Sequence, residues 1–318
     1  MFNNNLMKAL VFKQLQSELK VTVTLASLAT QFLERPGLVR ATIRSYESTL
    51  LPLLALYGSW SLEIIDREIL VEYLNDLKHV TYITHHRHQA VIMALFNFAV
   101  ECRYIKANPI SNLKRRKPNP NLGEHNSDSV VRYLTIKQLS ILHQAVKKDV
   151  RLTALVHLLH SSGARIAEIL ALNLEDIDFT ARKFQVIGKG NKQRWCFYNQ
   201  STALCLNNYI KYYRSPNHPA LFTAQKPNTQ QASRLSYATA YSAWVKLTNG
   251  IPELEDTGFH HLRHTFGTER VGLMGVEELR ALMGHEKIQT TLRYSKVTSL
   301  RAEEVAQQAF EKIPPLGQ

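Results

Sequence analysis

Between residues 24 and 108, apolar side chains return every three or four positions in ATIRSYESTLLPLLALYG, DREILVEYLNDL and ITHHRHQAVIMALFNFAVECRYI, the spacing of helices with one buried face. Gly58, Ser59, Ser61 and Asp66 punctuate them. A small helical bundle over 24–110 follows from this pattern, behind an N-terminal extension of residues 1–23. The pattern stops after Asn108-Pro109. SNLKRRKPNPNLGEHNSDS has little apolar content, carries Pro118 and Pro120, and holds the run Lys114-Arg115-Arg116-Lys117, so 111–130 reads as a basic linker. Helical spacing resumes in YLTIKQLSILHQAV, where Thr135 and Gln138 fit a capping box ahead of Leu139, Leu142 and Val146. A second domain over 131–298 is expected to be mostly helical with one exception. In RKFQVIGKGNKQRWCFY, Phe184 and Val186 alternate into Gly188-Lys189-Gly190-Asn191, and Trp195, Phe197 and Tyr198 lead back, a β-hairpin signature. Within 299–318, SLRAEEVAQQAFEKI is a last helical segment, free to pack on its own domain or on a neighbour. The expected fold is mainly α, a helical N-terminal domain and a mixed, mostly α C-terminal domain with a small antiparallel hairpin.

Charge narrows the function. The 318 residues hold 39 Lys and Arg against 26 Asp and Glu, a net +13, which attracts polyanions with nucleic acid first among them. An anionic membrane surface comes second, but the apolar runs, such as LLPLLALYG, fall far short of the roughly 20 residues that a span requires. The N-terminus lacks the apolar core and cleavage site of a secretory signal. Cys102, Cys196 and Cys205 have no CxxC spacing, which points to reduced, buried thiols in a cytoplasmic protein and away from structural zinc.

Four separated segments of the second domain carry residues suited to a phosphate. In HSSGARIAEILAL a break at Gly163 starts a helix with Arg165 in its first turn, where free N–H groups also favour an anion. Lys189 sits at the hairpin tip. His260 and Arg263 in HHLRHTFGTER share a helical face. His285 and Tyr294 follow in LMGHEKIQTTLRYSKV. Each has an ordinary reading: Arg165 can pair with Glu168 at the surface, Lys189 can be a solvated turn, His285 can close a helix, Tyr294 can be a rim residue, and 13 histidines will place some near arginines by chance. Together they are the parts for attack on a phosphodiester without a metal. Arginine forks hold the nonbridging oxygens, a histidine takes the phenol proton, and a lysine protonates the departing oxygen. No DxDxDG loop, HExxH or acidic metal cluster is present in the sequence, so no cofactor is expected.

In order and spacing these segments resemble the boxes of the tyrosine recombinase (phage integrase) family: GARIAEILAL, VIGKGNKQR, HHLRHTFGT and LMGHEKIQTTLRYSKV. The resemblance implies a DNA breaking-rejoining fold. It makes Arg165 and Arg263 the arginines on the scissile phosphate, Lys189 the general acid for the 5′ hydroxyl and His260 the base. His285 becomes a second phosphate-side donor, Glu168 an acidic support, and Tyr294 the nucleophile that forms a 3′-phosphotyrosyl link. It further implies a helical core-binding domain in which Arg40, Arg44, His86, Arg87, Lys114, Arg115, Arg116 and Lys117 touch DNA, with Lys192 and Arg194 of the hairpin joining them. Too few residues precede that domain for an additional arm-binding module, so compact Xer-type and Cre-type enzymes are the nearer likeness. The implied partners are double-stranded DNA with a short inverted-repeat site, a homo-tetramer on two duplexes, and a partner recombinase or directionality factor. The expected location is the cytoplasm, on the nucleoid. Alternative readings are a type IB topoisomerase, a telomere resolvase and a DNA-binding regulator whose catalytic groups are idle. For the histidines near 85–88 the ordinary reading is a polar helix start, ahead of a metal site.

Overall fold

The computed structural model describes residues 22–124, 131–188, 192–225, 231–295 and 306–307. The chain divides into two compact units, Met1–Ser127 and Asp128–Gln318.

The first unit is helical: α1 (Leu25–Glu34), α2 (Arg40–Tyr57), α3 (Arg67–Asp76) and α4 (Tyr82–Glu101). Three of these start where a short polar side chain takes a backbone N–H that the helix cannot pair. Thr24 accepts from Ser27 N, Asp66 from Ile69 N and Thr81 from Thr84 N. Leu28, Phe32, Leu50, Leu53, Leu70, Ile92, Leu95 and Phe96 are fully buried and form one core. His85 and His88 belong to that interior, which corrects the reading of 85–88 as a polar helix start. Both are buried, and His85 Nε2 donates to Leu74 O at 3.0 Å. The chain after α4 runs back along this unit. Gln89 Nε2 donates to Leu113 O (2.9 Å), His86 Nε2 lies 3.1 Å from Arg116 O, and Arg116 pairs with Glu124 at 2.7 Å.

The second unit begins with α5 (Ile136–Val146), whose Thr135–Gln138 capping box is formed as the sequence indicated. There follow α6 (Val150–Ser162) and α7 (Ile166–Ala171), then β1 (Ile177–Asp178), β2 (Lys183–Ile187) and β3 (Gln193–Phe197). After α8 (Gln200–Tyr212) come β4 (Thr223–Gln225) and β5 (Ala232–Arg234), then α9 (Tyr237–Thr248), α10 (Phe259–Arg270), α11 (Val276–Met283) and α12 (Ile288–Leu292). Helix α6 is apolar nearly all round because it is packed on several sides, against α8 and α10 above all. The core joins Leu155, Leu158 and Leu159 of α6 to Leu206, Trp244 and Leu262.

The expected hairpin is present as β2 and β3 of an antiparallel β1-β2-β3 sheet. Its register pairs Phe184 with Cys196 and Val186 with Arg194. Because side chains alternate across a strand, Phe184, Val186, Cys196 and Arg194 share the inner face while Trp195 and Phe197 point outward and stay exposed. The β4-β5 pair was not anticipated; strands of three residues leave too short a pattern to read. Of the three thiols expected to be buried, Cys196 is, whereas Cys102 and Cys205 are only half-buried. No helix among the described residues is long and apolar enough to cross a membrane. The expected segment 299–318 lies outside the described residues apart from 306–307.

Candidate active site

The site is built where helices of the second unit end. Helix α6 closes at Gly163, whose φ of 62° is the left-handed turn that glycine adopts without strain. A side chain there would also meet Phe266: a Cβ would lie 2.4 Å from its ring. The turn delivers Arg165 to the position ahead of α7. Arg165 N donates to Glu168 Oε2 (2.7 Å) and Nη1 to Oε1 (3.0 Å), so the ordinary ion pair does form, and the arginine stays partly exposed beside it. Helix α11 closes in the same way at Gly284, φ 63°.

Arg263 links these two ends. It is 2 % exposed, and it donates through Nη1 to Gly163 O and through Nη2 to Met283 O, both at 2.5 Å. Carbonyls at helix C-termini carry partial negative charge and attract a cation. Burial, then the Arg165 charge, brings Arg263 down to about 10, so it remains a cation at neutral pH. His285 follows Gly284 and is buried, with Nδ1 2.9 Å from Thr291 Oγ1. Burial followed by the Arg263, Arg165 and Arg194 charges takes it to about 3, leaving a neutral imidazole.

Tyr294, two residues past the end of α12, is 7 % exposed and packs with Phe266, Leu279 and Met283. Its ring lies over Gly267 of α10, where a Cβ would be 2.9 Å from Cδ1 and Cε1. Burial raises the phenol above its usual range, against the opposing pull of Arg263, Arg293 and Arg165. Its hydroxyl lies 2.9 Å from Nδ1 of His264. His260, the base that the resemblance implies, makes no contact with the phenol in this arrangement. His260 is one turn earlier on α10 and exposed, and its ring meets that of His264 edge-on at 4.4 Å. Sequence reasoning did not single out His264, which a helical i+4 step from His260 reaches. Gly267, three residues further on, carried no recognisable signal.

Arg194 is a second correction. Expected to touch DNA, its side chain is only 10 % exposed, and it forks onto Glu168 with Nη1 to Oε1 at 2.9 Å and Nη2 to Oε2 at 2.6 Å. Its Nε donates to Leu282 O at 3.0 Å. Strand parity is the reason: Arg194 shares the inner face with Cys196. Burial pushes the Glu168 carboxyl up, but hydrogen bonds from Arg194 and the Arg165 N–H outweigh it and hold the group below the ordinary range. Arg165, Glu168, Arg194, Arg263, His285 and Tyr294 therefore lie together, with Arg165 and Arg194 paired to one carboxylate and Arg263 held by the Gly163 and Met283 carbonyls. Lys189 lies outside the described residues; Gly188 N donates to Lys192 O at 2.8 Å at the base of its turn. Lys192 is exposed, 3.9 Å from Glu286.

In the first unit Arg40, Arg44, Lys114, Arg115 and Lys117 are exposed. Arg87, also exposed, donates through Nη2 to Ser45 O and Ser45 Oγ at 2.9 Å, tying α4 to α2 beside Arg44. His86 and Arg116 are partly covered by the contacts given above.

A model of the phage integrase family matches residues 132–301, more than half of the chain. The chain belongs to the phage integrase family. The family inferred from the four boxes is the one found. Among the family's curated members, a tyrosine recombinase XerC of Staphylococcus aureus is 25 % identical over 237 residues, 73 % of this chain and 76 % of the relative. A XerC of Staphylococcus saprophyticus is 30 % identical over 159 residues, 48 % of this chain and 51 % of the relative. Against several such relatives the chain spans about half of their length. The Tn1549 transposon integrase, solved with circular intermediate DNA, superposes over 89 % of this chain and 99 % of its own with a TM-score of 0.68 at 20 % identity. The XerH site-specific recombinase bound to palindromic difH substrate gives 0.67 at 19 %, over 89 % of this chain and 84 % of that one. At these identities the likeness is one of fold, mainly helical with small antiparallel sheets, as expected from the sequence.

Proposed function

We propose that this site-specific tyrosine recombinase breaks DNA by attack of Tyr294 on a phosphodiester held by Arg165 and Arg263, and rejoins it by the reverse step. The observation that supports this reading most is the convergence of two arginines, a neutral histidine and a buried tyrosine from three separate chain segments. The two guanidiniums offset the charge that grows on the nonbridging oxygens, and His285 donates there as well. Lys189 gives its proton to the 5′ oxygen as the P–O5′ bond breaks. Glu168 and Arg194 hold Arg165 and the hairpin in place, and His260 is the base that takes the phenol proton. The 3′-phosphotyrosyl link keeps the phosphodiester energy, so rejoining needs neither ATP nor a cofactor.

The DNA partner is a short inverted-repeat site, cut and exchanged with a second site through a Holliday junction by a tetramer on two duplexes. Residues 299–318 dock on the adjacent protomer. Arg40, Arg44, Arg87, Lys114, Arg115, Lys117 and Lys192 meet the phosphate backbone, with His86 and Arg116 beside them. The work is done in the cytoplasm on the nucleoid, with a partner recombinase or directionality factor as a further participant.

Covalent trapping tests the reading. Wild type and Tyr294→Phe are incubated with fragmented genomic DNA, denatured in SDS, and the protein-linked fragments are sequenced. Fragments that appear only with wild type and end at one or two inverted repeats support it. Scattered ends indicate a topoisomerase, and tight binding without linkage indicates an idle binding protein.

A further inference from the structure

Thr291 of α12 is fully buried, and its hydroxyl lies 2.9 Å from Nδ1 of His285. It lies in the short stretch that joins His285 to Tyr294. The His285 main chain is already fixed from α11: its N–H donates to Arg280 O at 3.1 Å, and its carbonyl accepts from Arg280 Nη1 at 3.3 Å. What the main chain leaves open is which way the ring is turned and which of its nitrogens carries the proton. Those two choices decide whether the imidazole can donate to a phosphate oxygen. We propose that Thr291 is a positioning residue that donates its hydroxyl proton to Nδ1 of His285 and so keeps the ring proton on Nε2, ready for the nonbridging oxygen. The proposal rests on the recombinase reading above and deepens it.

A hydroxyl has one proton and a neutral imidazole one N–H, so the contact can run in two directions. In one, Thr291 donates to the Nδ1 lone pair. In the other, Nδ1–H donates to Oγ1, and the hydroxyl proton then needs a second acceptor. None is present among the described residues, and Thr291, at 0 % exposure, has no bulk water to turn to. A buried hydroxyl proton without an acceptor is penalised, which selects the first direction. Nε2 then carries the hydrogen, and no side chain among the described residues occupies that nitrogen. The imidazole is uncharged, because burial and the Arg263, Arg165 and Arg194 charges oppose a second proton. A neutral ring has a single N–H to offer, so its place matters more than in an imidazolium, where both nitrogens donate. The same threonine ties this donor to the nucleophile. Tyr294 N donates to Thr291 O at 3.0 Å, and the Tyr294 and His285 rings lie 6° from parallel with centres 6.0 Å apart. A donor oriented before DNA arrives costs no reorganisation when charge grows on the phosphate.

The test uses the full-length protein. Wild type with isotope-labelled histidine is read by proton–nitrogen correlation NMR, and the His285 signals are assigned by their loss in His285→Gln. The expected ring has its proton on Nε2; a proton on Nδ1 overturns the proposal whatever the variants do. Single-turnover formation of the covalent complex is then followed on the inverted-repeat duplex recovered by covalent trapping, nicked so that cleavage cannot reverse, with DNA binding measured alongside. Thr291→Val keeps the shape of the side chain without the hydroxyl, and Thr291→Ser keeps the hydroxyl. Losing one neutral hydrogen bond corresponds to roughly three- to tenfold in rate, less than the roughly 10²–10³-fold cost of losing an oxyanion donor outright. Thr291→Val is expected to slow cleavage by about that smaller factor with DNA binding unchanged, and Thr291→Ser to cleave near the wild-type rate. In a His285→Ala background Thr291→Val should cost nothing further, a coupling that a merely structural role would not give. Wild-type cleavage by Thr291→Val, a serine variant as slow as the valine one, or the same loss with and without His285 overturns the proposal. If wild type itself forms no covalent complex, it is the recombinase reading that fails, while the NMR result still decides which nitrogen holds the proton.

Discussion

Arg194 is the side chain whose removal tells most about how the cluster is held. It belongs to the strand that follows the Lys189 turn, its fork closes on the Glu168 carboxylate, and its Nε holds Leu282 O just ahead of the Gly284-His285 turn. Arg194→Ala leaves Glu168, 8 % exposed, without its main partner. Breaking a buried pair costs about 3–5 kcal/mol, and because Arg165 still donates to Glu168 from its backbone and side chain, the lower end, about 3 kcal/mol, applies here. In a unit of this size that corresponds to a fall in Tm of roughly 6–12 °C. Differential scanning calorimetry with chemical denaturation provides the number, and a double-mutant cycle with Glu168→Ala separates the pair energy from general loss of packing. The double variant should be distinctly less destabilised than the sum of the single ones. Acid should act on the same carboxylate. Its folded pKa lies below the ordinary 4.5, so its contribution is fully present above about that pH and is lost as pH falls through the folded value. A loss under about 1 kcal/mol for Arg194→Ala, with no coupling to Glu168, would refute this reasoning.

Gly267→Ala separates stability from chemistry. A glycine replaced by alanine inside a helix usually gains about 0.5–1 kcal/mol, but here the new Cβ would lie 2.9 Å from the Tyr294 ring. DNA binding should persist while covalent complex formation drops at least tenfold, and normal cleavage would show that the ring does not rest there in the active state. Lys189→Ala should lose cleavage on ordinary DNA and regain it on a duplex with a 5′-bridging sulfur, which leaves without a proton; no rescue with binding intact removes the general-acid role. Deleting residues 299–318 should spare binding to one site in a mobility-shift assay and abolish pairing of two sites, and full recombination by the shortened chain would end the docking proposal.

Much of this molecule was legible before its structure. The Thr135 capping box, the alternation of Phe184 and Val186 around a glycine-rich turn, and four boxes in order each rest on short-range pattern. What escaped depends on which way a side chain faces in three dimensions. Arg194 reads as one more cation in a basic hairpin until the register with Val186 puts it on the inner face. His264 is one of several histidines near Arg263, and only the return of the chain at Tyr294 singles it out. His85 and His88 look like a polar helix start, but α4 is packed on both of those positions. A β4-β5 pair of three-residue strands leaves no periodicity to find.

The central claim is that Tyr294 joins the protein to a 3′ phosphate of DNA. Protein trapped on its cognate site would be digested with nuclease and protease, and the nucleotide-bearing peptide identified by mass spectrometry. The account predicts one modified peptide, with Tyr294 carrying a nucleotide through its 3′ phosphate, and a free 5′ hydroxyl on the released strand. A nucleotide on any other residue, or a link through a 5′ phosphate, would contradict it.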